Sequence, residues 1–173
     1  MLRGINNVGS RRVTMAALKK AFEDLGGKNV RTVLASGNVV FNPPRQSPDI
    51  VRKLTAGLEK ALGFPVVVVT RTVRELEGII RSEPFKGVPA APEDQLYVTF
   101  LGGKGSARPG ARLPDPPKET RVVRVDPGEI FSVVMRSRGG RTPDLMKYLD
   151  RNLGPAVTTR NWRTVLKLAG GGR

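Results

Sequence analysis

The chain has 173 residues, with 30 lysines and arginines against 15 aspartates and glutamates, and it contains neither histidine nor cysteine. Without cysteine there is no disulfide, thiolate nucleophile or cysteine zinc site, and without histidine there is no Ser-His-Asp triad or histidine-ligated zinc. The net charge of +15 and the sequence pI near 11.2 favour anionic partners.

The first 70 residues predict four strands and two helices. Runs of apolar and β-branched residues mark the strands, at residues 1–5, 30–34, 39–41 and 66–69. Two amphipathic stretches between them predict the helices, which begin behind Thr14 and Ser47 and end at Gly26 and Gly63. The resulting βαββαβ order is that of a ferredoxin-like fold.

The second half predicts a smaller α/β part packed on the first. Thr72 and Glu75 form a capping box that begins a short helix. Further elements are a strand over 95–101, a loop over 102–118, a hairpin of residues 121–125 and 130–135, a helix from Pro143 and a last helix from about Thr159 to Ala169. We therefore expect an α+β fold, with a ferredoxin-like subdomain over residues 1–83 and a hairpin plus two-helix subdomain over 84–173.

Three stretches of sequence carry a family resemblance. They read LRGIN at residues 2–6, SGNVVF at 36–41 and TTRNWRTVLKL at 158–168. Together they resemble a bacterial family known as a domain of unknown function, DUF1697. The resemblance covers most of the chain and implies an α+β fold with a ferredoxin-like N-terminal part, but it brings no activity, cofactor or catalytic residue. Family members begin several residues earlier, so either the first strand is short here or the true start lies upstream.

The positive charge is concentrated at the two ends of the chain. Residues 1–31 carry a net charge of +5 and residues 136–173 carry +7, whereas residues 87–135 are neutral. Such an excess of arginine and lysine is typical of proteins that bind nucleic acid without sequence specificity. The candidate anion-binding residues are Arg3, Asn6, Arg11, Arg12, Asn38, Arg136, Arg138, Arg141, Arg160, Asn161 and Arg163.

Each motif has two interpretations. The Arg3–Asn6 loop, between a strand and a helix, is either an anion site or a structural turn. Ser36, Gly37 and Asn38 form either a structural hairpin turn or a site with Ser36 as nucleophile, for which the chain has no histidine as activating base. Arg160, placed in the first turn of the last helix, either pairs with a buried carboxylate or meets an anion. Trp162 is either a core anchor or a platform for a base.

Two functional hypotheses follow. The first is a non-enzymatic protein that binds nucleic acid or another polyanion through its basic ends. The alternative is a small-molecule site for an anionic or phosphorylated ligand, built from the Arg3–Asn6 loop and the Arg160-Asn161 helix start. Whether the protein is an enzyme stays open, and no cofactor or metal site is predicted. With no long apolar run and no signal peptide, we expect a cytoplasmic protein that does not enter membranes.

Overall fold

The structure is a computed structural model and describes residues 1–3, 5, 12–44, 49–102, 113–135 and 145–170. The chain forms two compact units, the N-terminal unit Met1–Thr70 and the C-terminal unit Arg71–Arg173. The architecture is mixed α/β, and the described residues contain five helices and three small antiparallel sheets. The sequence analysis placed the boundary after residue 83, whereas the structure divides the chain after Thr70. The helix Val73–Arg81 therefore belongs to the C-terminal unit and not to the N-terminal one.

The elements of the N-terminal unit follow the expected order along the chain. They are β1 (Leu2–Arg3), α1 (Met15–Asp24), β2 (Lys28–Val33), β3 (Asn38–Asn42), α2 (Ile50–Leu62) and β4 (Val67–Val68). The strands form two antiparallel pairs, β1 with β4 and β2 with β3. Within the described residues no ladder joins the two pairs, although the amide of Leu2 donates to the carbonyl of Gly37 at 2.8 Å. A single ferredoxin-like sheet stays a prediction.

Local sequence determines where the two helices of this unit begin and end. The Thr14 hydroxyl accepts a hydrogen bond from the Ala17 amide at 3.1 Å, which confirms the predicted N-cap of α1. Helix α2 begins with Asp49 at its N-cap position and ends at Gly63, whose φ of +77° suits glycine. The predicted start at Ser47 and Pro48 lies outside the described residues.

The core of the N-terminal unit lies between the helices and one side of the strands. The helices contribute Leu18, Phe22, Leu54 and Leu58, all almost fully buried. The strands contribute alternate residues, because successive side chains of a strand point to opposite sides. These strand residues are Leu2, Val30, Val39 and Val68.

The C-terminal unit is built on one four-stranded antiparallel sheet. Its elements are α3 (Val73–Arg81), β5 (Gln95–Leu101), β6 (Thr120–Val125), β7 (Glu129–Val134), α4 (Leu145–Leu153), β8 (Val157–Asn161) and α5 (Trp162–Leu168). The strand order is β6-β7-β5-β8. The capping box of Thr72 and Glu75, strand β5 and the β6–β7 hairpin confirm the sequence predictions.

The predicted last helix is wrong at its start. Residues 157–161 form strand β8, and the helix begins only at Trp162, with Asn161 rather than Thr159 as its N-cap. The physical reason is pairing: Thr158 and Thr159 lie opposite Phe100 and Thr99 of β5. Their β-branched side chains suit a pleated strand more than a helix.

The two faces of this sheet are covered by different helices. Leu101 and Val157 pack with Leu145 and Leu149 of α4 on one face, which we call the α4 face. Helix α5 contacts β5, β8 and α3, and the alternation of side chains places Val98 and its neighbours on the opposite, α5 face.

No helix in the described part of the chain combines the length and apolar character needed to cross a bilayer.

Candidate anion-binding site

The candidate residues identified from sequence fall in both units. Arg3, Arg12 and Asn38 lie in the N-terminal unit, and Arg160, Asn161 and Arg163 lie in the C-terminal unit. The remaining candidates lie outside the described residues; they are Asn6, Arg11, Arg136, Arg138 and Arg141.

A basic surface runs along the strands of the N-terminal unit. Leu2 and Val39 face the core, so the strand alternation places Arg3 and Val40 on the opposite side. Arg31 lies directly opposite Val40 in the β2–β3 ladder, and Lys28 lies opposite Asn42, two residues further along the same side. We call this surface the basic strand face, defined by Arg3, Lys28 and Arg31.

Lys28 and Arg31 are site residues that the sequence analysis missed. Both side chains are exposed, and their strand is interrupted by an irregularity of the register between them. The signal in the sequence was the position of Val30 and Val33 among polar residues of this strand. When valines of a strand face the core, the polar residues beside them face solvent. The irregular register, however, cannot be read from that pattern.

Every carboxylate of the N-terminal unit is engaged locally. Residues 1–70 hold 11 of the 30 basic side chains and only four of the 15 acidic ones. Three of the four form ion pairs on their own helices, and the fourth, Glu59, accepts a hydrogen bond from the Val66 amide at 3.1 Å. The ion pairs are Lys19–Glu23 at 3.7 Å, Lys20–Asp24 at 2.9 Å and Arg52–Asp49 at 3.1 Å.

Five cations of the same unit are left without such compensation. They are all exposed, and among the described residues their side chains make no hydrogen bond or ion pair; they are Arg12, Lys28, Arg31, Lys53 and Lys60. Lys53 interacts with Asp49 at longer range. For the other four, the acids of this unit are engaged elsewhere, so their positive field extends into solvent. The exposed surface of the N-terminal unit that carries these cations is therefore suited to bind an external anion.

Asn38 has a structural position in the hairpin between β2 and β3. Its side chain is fully buried, and its Nδ2 donates to the carbonyl of Val33 at 3.2 Å and to Ser36 Oγ at 3.0 Å. These bonds close the turn of residues 34–37, where Gly37 has a φ of +75°. A buried amide held in this way stabilises the turn and does not reach a ligand at the surface.

Arg160 and Asn161 point to opposite faces of the four-stranded sheet. Arg160 lies opposite Val98 on the α5 face, and Asn161 lies opposite Tyr97 on the α4 face. These two neighbours therefore do not line one site. Asn161 instead caps α5, since its Oδ1 accepts from the Arg163 amide at 3.0 Å and its Nδ2 donates to Gln95 Oε1 at 2.8 Å.

The Arg160 side chain is held in the interior of the C-terminal unit. It is 9% exposed, and its Nη1 donates to Thr158 Oγ1 at 2.8 Å and to the carbonyl of Thr159 at 2.7 Å. Burial lowers the pKa of this guanidinium to about 10, which still leaves it charged at neutral pH. A buried cation adds nothing to the exposed basic surface that the sequence analysis expected at the C-terminal end.

Trp162 is part of an aromatic cluster. Its ring meets Phe85 edge to face, with centroids 5.3 Å apart, and Phe85 in turn meets Phe131 at 5.8 Å. Trp162 is half-buried, and the contact with Phe85 supports its role as a packing anchor. Arg163, the next residue, is exposed.

No group of three or more acidic side chains that is placed to hold a metal ion occurs in the described ranges. The described site is thus made of cations, and what it offers is electrostatic attraction and hydrogen-bond donation to an anion.

These features define an α+β protein with a basic strand face in its first unit and a helix-covered sheet in its second. A family profile described as "Protein of unknown function (DUF1697)" matches residues 1–131, and the chain belongs to this family. Among solved structures, it is similar to the conserved bacterial protein SP0830 from Streptococcus pneumoniae, with a TM-score of 0.66 and 18% sequence identity over 99% of this chain and 95% of that one. That likeness shows a shared fold. A search of curated proteins gave no match.

Proposed function

We propose that this protein is a non-enzymatic binder of nucleic acid and that the basic strand face of its N-terminal unit is the binding surface. The observation that carries the proposal is the balance of charges in this unit: each carboxylate is engaged, whereas the side chains of five exposed cations form no ion pair among the described residues. Nucleic acids are the polyanions that such a surface fits best, because one duplex offers a regular row of phosphates. We place this binding in the cytoplasm.

The basic strand face is favoured over the other uncompensated cations by its shape. Lys28 and Arg31 lie on one strand, and Arg3 lies on β1, whose Leu2 amide is bonded to the turn that follows β2. Strand residues three apart are separated by about 10 Å, which matches contacts to separate phosphates rather than to one. Phosphate contacts of this kind give affinity without sequence specificity.

The small-molecule alternative has less support. It required Arg160 and Asn161 to act together, and they occupy opposite faces of the sheet. Arg160 is also buried and bonded to Thr158 and Thr159 of its own strand rather than presented to solvent.

The ferredoxin-like arrangement is part of the same proposal. We infer that β3 lies beside β1, which gives one sheet in the order β4-β1-β3-β2. The antiparallel pairs β1–β4 and β2–β3 and the bond from the Leu2 amide to the Gly37 carbonyl support this order. Nuclear Overhauser contacts between the backbone protons of Arg3 and Asn38 would test it, and their absence would contradict a shared sheet.

The binding proposal is tested by fluorescence anisotropy with DNA and RNA oligonucleotides, single-stranded and duplex, at low and at physiological salt. The double variant Lys28→Glu/Arg31→Glu should weaken binding at low salt at least about tenfold and should reduce the slope of log K against log salt by about 2 for a duplex. A matched control is Lys53→Glu/Lys60→Glu, which changes the net charge equally on the exposed side of α2.

Two results would contradict the proposal. The first is no binding of the unaltered protein to any of these oligonucleotides at low salt. The second is an equal loss of affinity in the two double variants, because that would show a response to net charge rather than to the basic strand face.

A further inference from the structure

Leu34, at the start of the turn between β2 and β3, has an unfavourable position in two respects. Its φ is +58°, in the left-handed region where the Cβ of an L residue crowds the following carbonyl oxygen. Its side chain is 50% exposed, more than the other large exposed apolar side chains of the described residues, Val73 and Met135, at 41% each. Glycine or asparagine would suit this backbone better, and neither packing nor turn geometry calls for leucine here.

The turn that carries Leu34 is fixed from both sides. Asn38 bonds to the carbonyl of Val33, directly before Leu34, and to Ser36 within the turn. Gly37, at the end of the turn, accepts the hydrogen bond from Leu2, and a Cβ at Gly37 would lie only 2.8 Å from the Ile5 side chain. A strained backbone persists only where its surroundings determine it, and such residues concentrate at functional sites.

The same hairpin carries an exposed arginine. Arg31 precedes Leu34 by three residues on β2, is exposed, and makes no ion pair among the described residues. Strand β1 with Arg3 lies against the other end of the turn through the Leu2–Gly37 bond. Proteins that bind the minor groove of DNA combine these two features, because an apolar side chain inserts between base steps while basic side chains contact the groove.

The chemistry of this unit favours a duplex over a single strand. Single-strand binding relies on exposed aromatic rings on which bases stack. The three aromatic residues of the N-terminal unit are Phe22, Phe41 and Phe64, and none is exposed. Phe22 and Phe41 pack edge to face with each other, their centroids 5.0 Å apart. An aliphatic side chain, in contrast, can insert between two stacked base pairs of a duplex.

We infer that Leu34 is a wedge residue that inserts between base pairs of double-stranded DNA from the minor groove, next to backbone contacts made by Arg31. This inference rests on the proposed function and adds the substrate class. It also gives a role to a leucine that occupies a backbone conformation unfavourable for its side chain and is half exposed.

The test uses the full chain and a DNA duplex of two helical turns that contains a fluorescent adenine analogue, which brightens when it is unstacked. In Leu34→Gly the strain is relieved, so Tm should rise by about 2–4 °C. The same variant should lose at least about tenfold in affinity, and the brightening seen with the unaltered protein should disappear. Leu34→Asn, which tolerates the same φ, should behave alike. Val73→Ala, at the other exposed apolar position, is the matched control and should change neither signal.

The outcomes separate this inference from the proposed function. If the unaltered protein binds DNA with the expected salt dependence but Leu34→Gly binds equally well, or the analogue never brightens, the wedge is wrong and the electrostatic proposal stands. If the unaltered protein binds no nucleic acid, the proposed function fails and the wedge fails with it. Two further results would overturn the inference. One is that the Leu34 variants lose affinity for anionic lipid vesicles but not for DNA, and the other is a lowered Tm in both variants.

Discussion

The amide of Leu2 donates a hydrogen bond to the carbonyl of Gly37 at 2.8 Å. This bond joins two of the three stretches on which the family resemblance rests, the one at residues 2–6 and the one at residues 36–41. Gly37 is required there, because its φ is +75° and an added Cβ would lie 2.8 Å from Ile5 Cγ1 and 3.0 Å from the Leu2 carbonyl oxygen. Leu2 and Gly37 therefore have a structural role in these motifs.

Replacement of Gly37 by alanine should destabilise the protein through both the φ and the close contact. We expect a loss of about 2–3 kcal/mol in the free energy of unfolding, which combines a left-handed penalty with overpacking. Gly63→Ala is the matched control, because its φ of +77° is similar but open space surrounds the site. It should lose only about 1 kcal/mol. Urea denaturation followed by circular dichroism measures both, and equal losses would show that the contact with β1 is unimportant.

The fold was predictable from sequence where local signals determine it. Apolar residues at helical spacing, with Thr14 and Thr72 as caps, predicted α1 and α3 correctly. Residues 159–161 were assigned to the last helix because Thr159 suits an N-cap and the apolar spacing of a helix follows from Trp162. Only their pairing with β5, some 60 residues away, makes them a strand, and such non-local contacts leave no local pattern.

The candidate site was predictable in its chemistry but not in its residues. The charge excess at the N-terminal end predicted a basic surface, and strand alternation places Arg3 on the side of β1 away from the core. Asn38 and Arg160 were singled out for their residue types, yet both are buried and hydrogen-bonded within their own units. Exposure of a polar side chain depends on which side of a strand it occupies, and that requires the register.

The part-buried ion pair of Arg71 and Glu129 should be important for the stability of the C-terminal unit. Arg71 Nε lies 2.7 Å from Glu129 Oε1, the two side chains are 14% and 13% exposed, and Arg71 also donates to the carbonyls of Leu101 and Gly128. Glu129→Gln keeps the shape but leaves a buried cation without its counter-charge. We expect a loss of about 2–4 kcal/mol.

Glu83→Gln is the matched control for that change. It removes the same kind of charge from the Lys86–Glu83 pair, whose side chains are 74% and 59% exposed. Exposed pairs contribute little, so stability should change by less than about 0.5 kcal/mol. Chemical denaturation at neutral pH compares the two variants, and a similar small change in both would refute a stabilising role for Glu129.

Alkaline pH should destabilise the protein through its two tyrosines. Burial raises the pKa of Tyr97, and burial together with the nearby Asp115 raises the pKa of Tyr148. Above pH 10 the unfolded chain loses these protons before the folded protein does, so the free energy of unfolding falls as pH rises. In Tyr97→Phe this fall should be shallower. Thermal unfolding between pH 9 and pH 11 measures it, and parallel curves for the variant and the unaltered protein would contradict the prediction.

Two buried threonines of the four-stranded sheet should respond in opposite directions to the same substitution. Thr99 Oγ1 lies 2.8 Å from Thr159 Oγ1, whereas Thr120 Oγ1 is buried and has no hydrogen-bond partner among the described residues. Valine has the same shape but lacks the hydroxyl. Thr99→Val should therefore cost about 1–2 kcal/mol, because the Thr159 hydroxyl loses its partner, and Thr120→Val should stabilise by about 1 kcal/mol, because a desolvated hydroxyl is removed. Urea denaturation of both variants measures the difference, and a loss of stability in Thr120→Val would mean that a buried water bridges that hydroxyl to the sheet.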